Sequence, residues 1–224
     1  LFQLILQNNT DTSAAFAGIA FQVEAGFNED RLNAAIFAER VDGGAGKVDS
    51  DLVFATNNDA DDDLFERMRI HSDGEITAPA QPCFHAHAAT AQTDGGNTTT
   101  TTVVFGTERT DAGSNFASNT FTAPVAGTYF LQTTLDIRSI PSTTDYFWAK
   151  IITSNETYYG DIIRIDDIAN AEVAYFTYSC TAIADMDASD TATVGLQSAN
   201  AGTSWTIHGV GGQPHSFFQG HLIG

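Results

Sequence analysis

His85 and His87, one residue apart in Phe84-His85-Ala86-His87-Ala88, have the clearest chemical reach of any side chains in this sequence. On a strand, alternate residues share a face, so both imidazoles stand on one side while Phe84, Ala86 and Ala88 fill a core on the other. Such a pair suits a Zn²⁺, Ni²⁺ or Fe²⁺ site or a proton-sensitive interface, and equally neutral histidines hydrogen-bonded at a half-buried surface. Two acidic runs, Asp59, Asp61, Asp62 and Asp63, then Asp185, Asp187 and Asp190, offer oxygens to Ca²⁺ or serve as solvated turns. Neither has the Asp-x-Asp-x-Asp-Gly spacing of a dedicated loop. Asp166 and Asp167 are adjacent, so they diverge on a strand and cannot face each other across a glycosidic bond. Neither a Gly-x-Ser-x-Gly elbow, nor a His-Glu-x-x-His pair, nor a reactive-Cys signature occurs. We expect a protein that is not an enzyme, with no catalytic residue and no required cofactor; a transition metal or Ca²⁺ is the optional one.

The elements that must carry these residues have period two throughout. Tyr129, Leu131, Thr133, Leu135 and Ile137 share one face of a long strand, with Phe130, Gln132, Thr134 and Asp136 on the other. Further β-rich runs are Thr102 to Phe105, Tyr146 to Thr153, Tyr158 to Ile165, Val173 to Ile183, Ala192 to Leu196 and Phe218 to Leu222. The threonine run Thr98 to Thr102 reads as a loop feeding one of them. The fold class is all-β, with an antiparallel sandwich over residues 81–224. Residues 1–80 are β-patterned differently: Leu4 and Leu6, Ile19 to Val23, Ile36 and Ala38, Leu52 and Phe54, and Met68 and Ile70 alternate between Gly- and Asp-rich turns. Strands so short bury little apolar surface, which favours several chains intertwining into a shaft. Pro79 and Pro82 mark the hinge.

Two segments carry a resemblance. Asn119-Thr-Phe-Thr-Ala-Pro-Val-Ala-Gly-Thr-Tyr-Phe-Leu131 enters as a short strand, breaks at Pro124, turns at Gly127 and leaves as the long strand; Ser216-Phe-Phe-Gln-Gly-His-Leu-Ile223 closes the chain. Together they resemble the globular head of the complement C1q/TNF jelly-roll superfamily, over roughly residues 82 to 224. The resemblance implies a homotrimer that works by binding. It also implies that the His85 strand belongs to the inner sheet facing the threefold axis, with His221 on the same side, so that three chains would gather His85, His87 and His221 near one axis. It implies further that alternate loops collect at the end far from the stalk, near Thr93 to Asn97, Ser139 to Asp145, Asp166 to Asn170 and Ala199 to His215. On that basis the candidate receptor-binding residues are Ser139, Thr143, Asp145, Asp166, Asn170, Trp205, His208, Gln213 and His215. Trp205, alternating with Ile207, equally reads as core. In the first part, Ala34 to Arg40, Asp51 to Thr56 and Glu66 to Gly74 resemble the repeating segments of bacteriophage tail-fibre and tailspike shafts.

Charge narrows the partners. Lys and Arg number 9 against 28 Asp and Glu, a formal charge of −19, so the chain lacks the basic footprint that nucleic acid or an anionic membrane requires. Nor is there an apolar run of about 18 residues to span a bilayer. The opening at Leu1, without a charged segment followed by an apolar one, suggests the C-terminal piece of a longer polypeptide. Cys83 and Cys180 are two buried thiols or one bridge. The expectation is a virion protein, the tip of a phage tail fibre or spike. It would attach to a bacterial surface polysaccharide or outer-membrane protein and join the virion through a preceding region. The alternatives are a virion head fibre or decoration, a secreted complement-like adhesin and, last, a polysaccharide depolymerase.

Overall fold

The computed structural model describes residues 5–8, 13–22, 32–42, 49–58, 64–94, 99–199 and 205–224. All regular structure among them is β, and the chain divides into two compact units, Leu1–Ala80 and Gln81–Gly224. Asp59 to Asp63 and part of the Thr93–Asn97 and Ala199–His215 segments lie outside the described residues.

The first unit is a five-stranded antiparallel meander of β1 (Phe16–Phe21), β2 (Ala34–Arg40), β3 (Ser50–Thr56), β4 (Phe65–Ile70) and β5 (Ile76–Thr77) in chain order. The segments that resemble shaft repeats fall on β2, β3 and β4, and β2 and β3 pair within the chain in register from Ala34↔Thr56 to Arg40↔Ser50. Residues 5–8 form no strand. The register aligns Ile19, Ile36, Phe54 and Met68 across one face, where Ile19, Phe21, Ile36 and Leu52 stay exposed. On the other face Ala35, Val53 and Ala55 are buried beside an ionic knot. There the Arg69 guanidinium donates to Asp51 and Glu39 at 2.7 Å each and to Glu66 at 2.5 Å. Its proton is held far more tightly than usual by these carboxylates, Glu66 first.

The second unit is a sandwich of two sheets. One holds β10 (Phe116–Ala117), β11 (Thr120–Thr122), β16 (Thr191–Ala199), β13 (Tyr146–Thr153) and β14 (Thr157–Arg164) in that order, with β8 (Thr101–Thr102) also on β16. The other runs β7 (Thr90–Asp94), β17 (Trp205–Val210), β12 (Gly127–Ile140), β18 (Phe217–Leu222), β6 (Cys83–His87) and β9 (Thr107–Asp111), with β15 (Val173–Met186) on the far side of β12. As the alternation of β12 requires, Tyr129, Leu131, Thr133, Leu135 and Ile137 are fully enclosed between the sheets. They meet Tyr178, Cys180, Ala182 and Ala184 of β15 and Phe147, Val194 and Leu196 of the opposite sheet in one apolar cluster. Phe84 anchors one end, stacked on Phe121 at 4.6 Å and edge-on to Phe218 at 4.9 Å. Gly220 leaves room for it: a Cβ there would lie 2.8 Å from both Phe84 Cε1 and the Phe130 carbonyl oxygen. Both cysteines are free thiols, Cys83 half-buried and Cys180 buried.

β17 and β18 share one edge of β12. Ile207 pairs with Ile137, and further along β12 Phe217 pairs with Thr134. One strand position beside β12 is therefore shared by two strands, and the residues between them turn out of the ladder at Gly212, whose φ of +85° favours glycine.

Candidate functional site

Three surfaces of the sandwich carry chemistry. The first is the rim where β12, β14 and β16 end. The Asp145 N–H donates to the Ala199 carbonyl, the Ile165 N–H to the Asp145 carbonyl, and the Asp166 N–H to the Thr144 carbonyl, at 2.9 to 3.1 Å. These backbone bonds knit two loops into one platform, with Thr144 and Ile165 buried beneath it. Ser139, with φ of +54°, Thr143, Asp166 and Asn170 are exposed on it, while Asp145 is half-buried. Asp166 accepts from Arg164 at 2.8 Å, and the Arg164 Nε lies 2.9 Å from Asp167. Ile168 stands 63% exposed among these charges.

Trp205 is not part of that rim surface. It is 1% exposed, packs edge-on to Phe147 at 5.4 Å and donates its indole N–H to Ser198 Oγ at 2.9 Å. The period-two alternation with Ile207 decides its direction, and the indole is core. His208, Gln213 and His215 leave the rim as well, because β17 runs back along β12 before the chain turns.

The second surface is the outward face of the seven-stranded sheet, and here the histidines separate. His85 is half-buried and meets the Phe217 ring edge-on at 5.4 Å; His221 is exposed, its ring 5.3 Å from that of Phe130. His87 is 1% exposed, enclosed by its own chain, and neither ring nitrogen has a hydrogen-bond partner. An enclosed ring offers nothing to a subunit axis, which corrects the expectation for His87. Burial and the Arg109 charge push His87 below the ordinary imidazole value, and the same causes, with His87, act on His85.

One group of three metal-type ligands occurs among the described residues, and it is a different one. Asp136, His208 and His215 place ligand atoms within 4.8 Å of one another. Asp136 is on the outward side of β12, as its alternation dictates. His208, one step past the Ile137–Ile207 pair, stands level with it. His215 comes from the turn between β17 and β18, tied down by the Asp136 N–H donating to Ser216 Oγ at 2.9 Å. That hydroxyl is wholly enclosed. The acidic run at Asp185 to Asp190 is a turn bonded to the protein. Asp190 accepts from Ser154, Asn155 and the Asp187 N–H, which hold its carboxyl below the usual range.

The third surface, on the opposite sheet, was not singled out from the sequence. Lys150 lies 5.3 and 5.4 Å over the Trp148 and Tyr159 rings and donates to Gln197 at 2.5 Å and Thr100 at 3.0 Å. Burial lowers the pKa of its ammonium. The alternation Tyr146-x-Trp148-x-Lys150 was the available signal.

The described residues thus form an all-β protein bearing a two-sheet sandwich. Similar solved structures include the globular domain of the zebrafish complement 1qA protein (15% identity, TM-score 0.41, 64% of this chain and 98% of that one). Murine APRIL (14%, 0.42, 64% and 99%) and Eiger TNF from S. frugiperda (10%, 0.45, 65% and 94%) are also among them. No family model and no curated protein matches the sequence.

Proposed function

We propose that this chain is the tip of a bacteriophage tail fibre or spike, a homotrimeric virion protein that attaches to a polysaccharide or protein on a bacterial surface without cleaving it. The observation that carries the reading is the rim: loops locked together by backbone hydrogen bonds present exposed Thr143, Asp166, Ile168 and Asn170 as a preformed surface. Loops held rigid on a sandwich lose little entropy on binding, which is what recognition needs. Assembly is supported by β15, whose 14 residues pair with β12 on one side and with no strand on the other among the described residues. It exposes Tyr175 at 71% and Ile183 at 64%. A long edge of this kind invites a second chain. Three weak heads on one axis would then bind tightly through effective concentration.

Fluorescently labelled protein should stain some members of a panel of bacterial strains. Ile168→Asp and Asn170→Ala should each weaken staining by about tenfold or more, the size of one interface hot spot, and the host polysaccharide should keep its chain length. Staining indifferent to both changes, or a shortened polysaccharide, would remove the rim or the non-enzymatic reading respectively.

A further inference from the structure

We propose that Asp136, His208 and His215 bind a first-row divalent transition cation, with Zn²⁺ as its simplest representative. Two imidazoles and one carboxylate are the donor set that such ions take, leaving further positions for water or a ligand. The three come from β12, β17 and the turn between β17 and β18, so the fold rather than local sequence gathers them.

The hydrogen bonds around the group set which atoms face inward. His215 Nε2–H donates to Gln213 Oε1 at 3.0 Å, so the other nitrogen, Nδ1, is the lone-pair atom of the neutral ring. Nδ1 faces Asp136 Oδ2 at 3.8 Å. That is too long for a hydrogen bond, and two lone pairs facing each other are repulsive. It is near the separation of about 3.3 Å between two ligands on a tetrahedral ion with bonds of roughly 2.0 to 2.2 Å. The His208 ring lies 5.0 Å from the His215 ring, centre to centre. The outer partners are also in place. Arg138 Nη2 donates to Asp136 Oδ2 at 2.8 Å and its Nε lies 3.2 to 3.3 Å from both oxygens, fixing the carboxylate plane. Gln213 does the same for His215. Access is open from the turn, since Gln213 and His215 are exposed while Asp136 is 8% exposed.

The competing occupant is a proton, giving an imidazolium at His215 paired with Asp136. Titration separates the two. The whole chain, stripped with a chelator and dialysed at pH 7.5, should take up one equivalent of Zn²⁺ per chain by calorimetry. Co²⁺ should develop the visible absorption of a nitrogen- and oxygen-ligated ion. His215→Asn, a change on an exposed turn that leaves the sandwich intact, should weaken uptake at least tenfold, as should His208→Ala. Gln213→Ala, acting only through the orientation of His215, should weaken it by roughly tenfold. His221→Asn, outside the group, should leave it unchanged. Absence of saturable uptake, or uptake that His215→Asn does not weaken, would overturn the proposal. So would loss on His221→Asn alone, which would put the ion elsewhere. None of these outcomes bears on the rim, so the attachment reading stands or falls separately.

Discussion

His87 is enclosed with both ring nitrogens unbonded, an arrangement that disfavours the charged ring. Its folded pKa is lowered, by burial and by Arg109, whereas the unfolded chain takes up a proton near pH 6.5. Stability is therefore complete above about pH 6.5 and is lost as pH falls below it, since there the unfolded state binds more protons. His85 and His208 are shifted in the same direction and add to the loss. Urea unfolding between pH 5 and pH 8 should show a midpoint that drops on the acid side. His87→Phe, which fills the same space without a titrating group, should flatten that drop without abolishing it. An unchanged slope would mean that the ring reaches solvent.

At the scale of elements, one cation fastens three strands. Arg69 on β4 reaches Glu39 on β2, Asp51 on β3 and Glu66 on its own strand, and the Ser72 N–H donates to Asp51 at 2.9 Å as the chain leaves β4. Asp51 and Glu66 are both held below the usual carboxylate range, chiefly by Arg69. Groups with depressed folded pKa values contribute stability above about pH 4, lost as pH falls through the folded values. Hydrogen-exchange protection over Ser50–Thr56 and Phe65–Ile70 in the whole chain should thus hold from pH 7 to 5 and decline below about pH 4. In Arg69→Met the unneutralised carboxylates repel, so protection should be lower at pH 7 and rise on mild acidification, the opposite sign. In the sandwich, the element that matters most for chemistry is the break between β17 and β18 beside β12. β17 and β18 could have been one continuous strand; the turn between them puts His215 opposite Asp136.

For the whole molecule, the two units pose one problem in different forms. The five-stranded meander has a face on which Ile19, Phe21, Ile36 and Leu52 remain exposed, and the sandwich ends in the long edge of β15. Both are surfaces that a second chain would cover. The trimer proposed above predicts that sedimentation equilibrium reports three times the chain mass. Ile183→Asp, which puts a charge on the β15 edge, should shift the distribution toward one chain. A single-chain mass at micromolar concentration for the unaltered protein would remove the trimer and, with it, the gain from three heads. The net charge of −19 per chain also predicts that assembly strengthens with added salt, as screening shortens the repulsion.

Much of this was written in local pattern. Alternation in β12 assigned Tyr129, Leu131, Leu135 and Ile137 to the core and Asp136 to the outside, and the spacing of Trp205 and Ile207 carried the same information for the indole. Such readings succeed because a strand has a strict two-residue period and a residue's side depends on its immediate neighbours alone. The pairing of β2 with β3 inside one chain, the enclosure of His87, and the meeting of Asp136, His208 and His215 were not legible in this way. They depend on which strands lie side by side and where a ladder breaks, and those are set by the total burial of the packed sheets, a sum over residues far apart in the chain.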